Sequence, residues 1–316
     1  MRECEAQRQF TNYGRFVQLL ERELRDKLHV DDSKAVICVC NATAALYALT
    51  EGIAQVNRVE HPRWATQSFT FPSSAQGMLA GSDIVDIDEG GGLDLSQVPS
   101  SCCGIIVTNV FGNVVDISKY VEWAEAHCKF LVFDNAATPY TEYKGKNSCN
   151  YGHGCVISFH HTKPIGYGEG GAIVVDQMYE DSVRALVNFG IGASTGWNPA
   201  GSNYKMSEIA AIYILEYFKQ FERILDYHTL SYWRIKHTTA FEVYPNCADV
   251  GGKCLVSCIC FMDDRFDGDY IADKVSHGIH CRKYYKPLAD TPIAARVYRR
   301  ILCYPLHCDI DVVHLE

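Results

Sequence analysis

The chain has 316 residues with a formal charge of −9; 47% of them are hydrophobic and 21% charged. That length allows a large core and a second, smaller domain, and the composition is that of a soluble globular protein. The acidic balance argues against nucleic acid as a partner. No apolar run reaches membrane-spanning length, and Met1-Arg2-Glu3-Cys4-Glu5 lacks a signal-peptide core, so no membrane is expected and a cytoplasmic location is.

In chain order, Phe16, Leu19, Leu20, Leu24 and Leu28 recur at three-to-four spacing and predict an amphipathic helix. Val36–Cys40 reads as a strand, and Asn41-Ala42-Thr43-Ala44-Ala45-Leu46 opens a helix. The N–H groups and dipole of such a helix start make an anion site, which makes Thr43 and Ala44 candidate phosphate-cradling positions. An ordinary threonine cap is the alternative, and both can hold at once. Strand-like runs recur at Ile84–Ile87, Gly104–Thr108, Lys129–Phe133, Val156–Phe159 and Ala172–Val175, with a helical pattern over Ile117–His127. Strands alternating with helices predict an α/β fold with a largely parallel sheet between helical layers. Residues 206–227 read as one long helix leading away from that sheet. The expected division is a large domain over 1–227 and a smaller C-terminal α/β domain over 228–316. The latter holds a strand over Lys253–Met262, a helix over Gly268–Ser276 and the basic aromatic cluster Arg282-Lys283-Tyr284-Tyr285.

The most informative segment runs from Ser158 through Lys163 to Gly171. A buried strand delivers a single lysine into a stretch with glycine at 166, 168, 170 and 171, which frees the backbone to turn sharply. A lysine held there is partly desolvated, and its neutral amine becomes a nucleophile of the Schiff-base kind. A surface lysine on a hairpin turn is the other reading. Upstream, Lys129–Phe133 leads into Asp134 at the carboxyl end of a strand, where α/β sheets form their ligand crevice. Asp134 alone reads as a helix N-cap. Together with Lys163 it reads as the carboxylate that keeps a pyridinium nitrogen protonated.

These motifs, with Thr11-Asn12-Tyr13-Gly14, Ser68-Phe69-Thr70-Phe71, Gly168-Glu169-Gly170-Gly171 and Asn203-Tyr204-Lys205-Met206-Ser207-Glu208, occur in one order along most of the chain. The chain thereby resembles the DegT/DnrJ/EryC1/StrS family of nucleotide-sugar aminotransferases. The resemblance implies the type I aminotransferase fold and pyridoxal 5'-phosphate as cofactor, with its pyridoxamine form as intermediate. It implies L-glutamate as amino donor, a nucleotide-linked keto-sugar as acceptor, and a homodimer with shared active sites. Lys163 would carry the cofactor and move the proton, and Asp134 would hold the ring nitrogen. Phe71, which otherwise reads as plain core, would stack on the ring. Thr43, Ala44 and Ser158 would bind the phosphate, joined by Asn203 from the other subunit. Lys205 stands where arginine is common and would tune substrate binding. Some relatives with histidine at the lysine position are dehydratases, so Lys163 implies transamination, and the resemblance of Lys205-Met206-Ser207-Glu208 and of Ser158-Phe159-His160-His161-Thr162-Lys163 to members acting on 4-keto-6-deoxy sugars favours a 4-keto-6-deoxyhexose.

Two departures stand out. Ala137 occupies the position usually held by Gln or His beside the cofactor's phenolic oxygen; either Asn135, Thr138 or a group such as Asn109 substitutes, or that contact is absent. The C-terminal strand region around Cys303-Tyr304-Pro305-Leu306-His307 is followed by a shorter tail than the family's terminal helix. An idle relative that binds the cofactor and serves as a regulator or scaffold is the alternative function, and a pyridoxal enzyme acting on amino acids alone is a third. Turnover with glutamate and a nucleotide requirement separate the three. The 15 cysteines lack paired zinc spacing, and Cys38/Cys40 and Cys258/Cys260 each fall on one face of a strand. They read as reduced, buried small hydrophobes with no metal.

Overall fold

The computed structural model describes residues 2–192, 196–245, 250–276, 278 and 281–306. Helix α1 (Arg15–Lys27) buries Val17, Leu20 and Leu24 on the stripe that the spacing predicts, while Phe16 and Leu19 are only half-buried. Strand β1 (Lys34–Val39) leads into α2 (Ala42–Val56), then come β2 (Trp64–Gln67), β3 (Asp83–Val85), β4 (Gly104–Thr108), α3 (Ile117–Ala126) and β5 (Phe130–Asp134). Strands β6 (Gly154–Ser158) and β7 (Gly171–Asp176) follow, with α4 (Glu180–Val187) after them.

These seven strands make one sheet in the order β1-β7-β6-β5-β4-β2-β3. Strand β7 runs antiparallel to both of its neighbours, and the other pairings are parallel. Apolar layers cover both faces, one with α1 and α3 and the other with α2 and α4. That is why the central strands are continuous apolar runs rather than alternating ones. Strand β2, Trp-Ala-Thr-Gln, escapes a hydrophobicity reading because Thr66 and Gln67 are polar, yet both are fully buried. Gln67 is satisfied internally: its Nε2 donates to Phe69 O at 3.0 Å and its Oε1 accepts from Thr108 N–H at 3.0 Å.

Residues 206–227 do not form one helix. Helix α5 (Glu208–Phe218) ends where Lys219 and Gln220 tighten into a turn, and α6 (Phe221–Thr238) begins anew. The break lets Phe218 and Phe221 both enter the main core, their ring centroids 5.5 Å apart. The apolar spacing runs unbroken through the turn, so sequence periodicity does not reveal it. The expected 227/228 boundary falls inside α6. Phe221, Ile224 and Leu225 pack on the sheet core, whereas Tyr232 and Ile235 pack on a separate C-terminal core.

That C-terminal core is built on β8 (Glu242–Val243), β9 (Cys258–Met262), α7 (Gly268–Ser276) and β10 (Ile301–Pro305), while α8 (Pro292–Arg300) buries Ala294 and Val297 in a further cluster with Phe69, Ile87 and Phe111. The strand expected over Lys253–Met262 is two: Val250–Cys254 pairs with Thr141–Tyr143, and only β9 joins β8 and β10. His307 and the rest of the tail lie outside the described residues. The two parts are tied by Asp86 just after β3. Its carboxylate accepts the Ile293 and Ala294 N–H groups at 2.8 and 2.9 Å, capping α8 from across the chain.

Candidate active site

Strand β6 ends at Ser158, and the chain turns through Lys163 before returning in β7. Lys163 N–H donates to His160 O at 2.8 Å and Gly166 N–H to Lys163 O at 2.9 Å, which folds the segment into tight successive turns. A Cβ at Gly166 would lie 1.8 Å from His160 O, and Gly168 has φ +90°, so glycine is required at both. The lysine thus projects into a cavity of about 630 Å³ whose wall includes Phe71, Phe111, His161, Cys258, Arg282 and Tyr285. The hairpin-turn reading is correct for the backbone, but the amine faces inward. Burial lowers the Lys163 pKa, opposed by the charges of Asp134 and Cys258.

Asp134, at the end of β5, is 4% exposed. Its Oδ1 accepts the Ala136 N–H at 3.0 Å, and no donor among the described residues reaches the other oxygen. Burial raises its pKa, while the Ala136 N–H and the charge of Lys163 pull it down. It caps no long helix. Such a carboxylate has an unused acceptor to offer a cationic group.

Strand β7 lies against β1, so Gly171 sits over the start of α2. A Cβ there would meet Asn41 C at 2.6 Å and Ala42 N at 2.7 Å. Asn41 caps α2, its Oδ1 accepting the Ala44 N–H at 2.9 Å. The Ala44 amide is therefore engaged, and the free amides of the first turn are those of Ala42 and Thr43. Thr43 Oγ1 lies 2.8 Å from Ser73 Oγ, a second hydroxyl that sequence reading missed. Ser158 Oγ accepts the His160 N–H at 3.2 Å and keeps its own proton to donate.

Phe71 is 55% exposed and edge-on to Tyr285 at 6.3 Å, so it is cavity wall rather than core. Tyr285 stacks face-on against Phe111 at 5.3 Å and feels the charges of Cys258 and Asp134. The basic aromatic cluster thus supplies a wall directly beside the lysine. Asn203 does not join this cavity: it is exposed and bridges Asn188. Lys205 faces a different cavity of about 400 Å³, its Nζ 4.0 Å from the Phe189 ring centre and without a hydrogen-bond partner among the described residues. The three polar residues near Ala137, one of the two alternatives for its missing side-chain donor, bond one another. Asn109 Nδ2 donates to Asn135 Oδ1 at 2.7 Å, and Thr138 Oγ1 donates to Asn109 O at 2.6 Å. The loop from Gly190 to Ser202 pairs Ile191–Gly192 with Gly196–Trp197, and the residues between them lie outside those described.

Comparison with known proteins agrees with this geometry. The DegT/DnrJ/EryC1/StrS aminotransferase family matches residues 1–248. A dTDP-4-amino-4,6-dideoxy-D-glucose transaminase of Shigella dysenteriae is 24% identical over 337 aligned positions, covering 98% of this chain and 90% of that protein. Among solved structures, DesI with its TDP-sugar product superposes with a TM-score of 0.82 at 22% identity, covering 98% of this chain and 84% of that one. PseC of Helicobacter pylori, an aminotransferase of pseudoaminic acid biosynthesis, gives 0.80 at 20% identity, covering 98% and 90%. The residues present fit pyridoxal phosphate: an inward lysine, a buried carboxylate with an idle oxygen, and a helix start flanked by three hydroxyls. The chain belongs to the DegT/DnrJ/EryC1/StrS aminotransferase family, and its cofactor is pyridoxal 5'-phosphate.

Proposed function

We propose that this enzyme moves an amino group from L-glutamate to a nucleotide-linked keto-deoxy sugar, with a 4-keto-6-deoxyhexose as acceptor, in amino-sugar biosynthesis. The observation that carries the reading is a desolvated Lys163 facing a cavity, electrostatically coupled to the buried carboxylate of Asp134. Bound pyridoxal phosphate supplies an electron sink for charge on the carbon beside the migrating nitrogen. Lys163 Nζ, deprotonated more readily because it is buried, anchors the cofactor and then holds and transfers the proton. Asp134 stays anionic against a ring N–H, since a cation there offsets the cost of burying its charge. Ser158, Thr43 and the α2 start, including Ala44 should it release Asn41, orient the phosphate. Phe71 covers one ring face.

Asn203 lies exposed and bridges Asn188, and the segment that follows Asn188 exposes the large side chains of Phe189, Ile191 and Trp197. This supports a homodimer in which Asn203 completes the partner's site. The cavity draws residues from both sides of α6, consistent with a cofactor-binding domain over 1–227 and a smaller domain over 228–316. The described cysteines are free thiols, and no helix among the described residues is long and apolar enough to cross a membrane. Free thiols persist in the cytoplasm, where we place the enzyme.

The test is the visible absorbance of the cofactor-loaded protein before and after L-glutamate, followed by a screen of keto-sugar nucleotides. Loss of the lysine-linked band with gain of the aminated cofactor's band supports the reading. A band that ignores glutamate overturns the donor assignment, and turnover with keto acids but no nucleotide sugar overturns the acceptor.

A further inference from the structure

Three cysteine side chains converge on the cavity wall, and no step of the proposed reaction uses them. Cys258 and Cys260 stand two apart on β9, so their side chains leave the same face, with Sγ atoms 3.7 Å apart. Cys303 lies directly opposite Cys260 on β10. The Cys303 N–H and C=O both bond Arg282 on the far side. Cys260 and Cys303 are therefore a non-hydrogen-bonded cross-strand pair, the position where side chains approach most closely. Their sulfurs are 2.7 Å apart, and all three sulfurs lie within 4.8 Å of one another. Cys260 and Cys303 are buried, while Cys258 is half-buried and lines the cavity together with Cys303.

Three thiols meeting at one buried point gain little from one another, because S–H is a weak donor and sulfur a weak acceptor. A soft cation changes that balance. Zinc–thiolate bonds of about 2.3 Å in a tetrahedral site set sulfurs roughly 3.8 Å apart. Cys258 and Cys260 already have that spacing, and rotation of Cys303 about its Cα–Cβ bond would open the shorter contact.

We propose that Cys258, Cys260 and Cys303 form a binding site for a soft d10 divalent cation such as zinc. The three thiolates would be its protein ligands, with the fourth position open to the cavity that holds Lys163. Three protein ligands and one open position is the arrangement that leaves room for water or a substrate donor. Binding releases thiol protons, so affinity rises with pH. The site stands independently of which sugar the enzyme aminates.

Reduced, cofactor-loaded protein titrated with Cd²⁺ reads the site through cadmium–thiolate absorbance, and equilibrium dialysis with Zn²⁺ counts the ions. The wild type and Cys128→Ala, which alters an exposed thiol, should each bind one equivalent. Cys303→Ser should weaken binding by at least about tenfold, a loss that outer-sphere changes alone can cause. Cys258→Ser, at a half-buried position, provides the same test if the first variant does not fold. Binding unchanged in both variants would place the ion on other cysteines and overturn the proposal. So would absence of thiolate absorbance, or a Cys260–Cys303 disulfide that excludes the ion.

Discussion

Lys163 and Asp134 each oppose the effect of burial on the other: the carboxylate raises the lysine's lowered pKa, and the ammonium lowers the aspartate's raised one. Neither interaction cancels the desolvation that dominates both groups. The pair is held in a state that a bound cationic ring would relieve at Asp134.

Lys163 gives up its proton at lower pH in the folded protein than in the unfolded chain. In cofactor-free protein it therefore costs stability below its folded pKa, and that cost fades as pH rises towards about 10.4. Since the neutral amine attacks, the rate of cofactor uptake should rise with pH around a midpoint below that value. Stopped-flow absorbance over a pH series measures it. Lys163→Ala should abolish the lysine-linked band and lower kcat by at least about a hundredfold.

Asp134 has the opposite sign. Its folded pKa is raised, so its favourable contribution is present below the unfolded value of about 3.9 and is lost as pH rises through the folded one. Cofactor-free Asp134→Asn should match the wild type at low pH and resist urea better at neutral pH, while turnover collapses. Parallel urea titrations at the two pH values decide it. A less stable Asp134→Asn protein at neutral pH would contradict the assignment.

Ser158→Ala and Thr43→Val each remove one hydroxyl from the anion site. A hydrogen bond to a charged group contributes about 1.5–3 kcal/mol, so each change should weaken pyridoxal phosphate binding by roughly tenfold to a hundredfold. Fluorescence titration of cofactor-free protein gives both dissociation constants.

The proposed dimer with shared sites predicts complementation. Lys163→Ala and Asn203→Ala proteins, each impaired alone, should regain activity when unfolded and refolded together. A mixed dimer has one site with an intact lysine and an intact partner asparagine. No gain on mixing would show that Asn203 acts within its own chain or not at all.

Asp86→Ala removes the carboxylate that caps α8. The cost should be about 2 kcal/mol, the upper range for an N-cap, read as a lower urea midpoint. Hydrogen exchange should report faster opening of α8 and β10 than of the seven-stranded sheet.

The alternation of apolar runs and helical stripes determined the layered α/β architecture. The ordered motifs from Gly14 to Glu208 determined the family, because chemistry fixes residue types at strand ends and in glycine turns. Even the link between distant motifs has a local cause: Glu208 is buried, and its carboxylate accepts the Phe16 N–H at 2.7 Å, capping α1. A side chain at Gly14 would collide with it at 2.6 Å. What the tertiary structure decided are relationships between segments with no shared period. The turn at Lys219–Gln220 leaves the apolar spacing intact and so cannot be read from it. Asn41 engages the Ala44 amide, and Asn109, Asn135 and Thr138 satisfy one another, because a buried polar group bonds whichever partner packing brings near. Cys303 joins Cys258 and Cys260 only through the register of β9 with β10, which no spacing along the chain encodes.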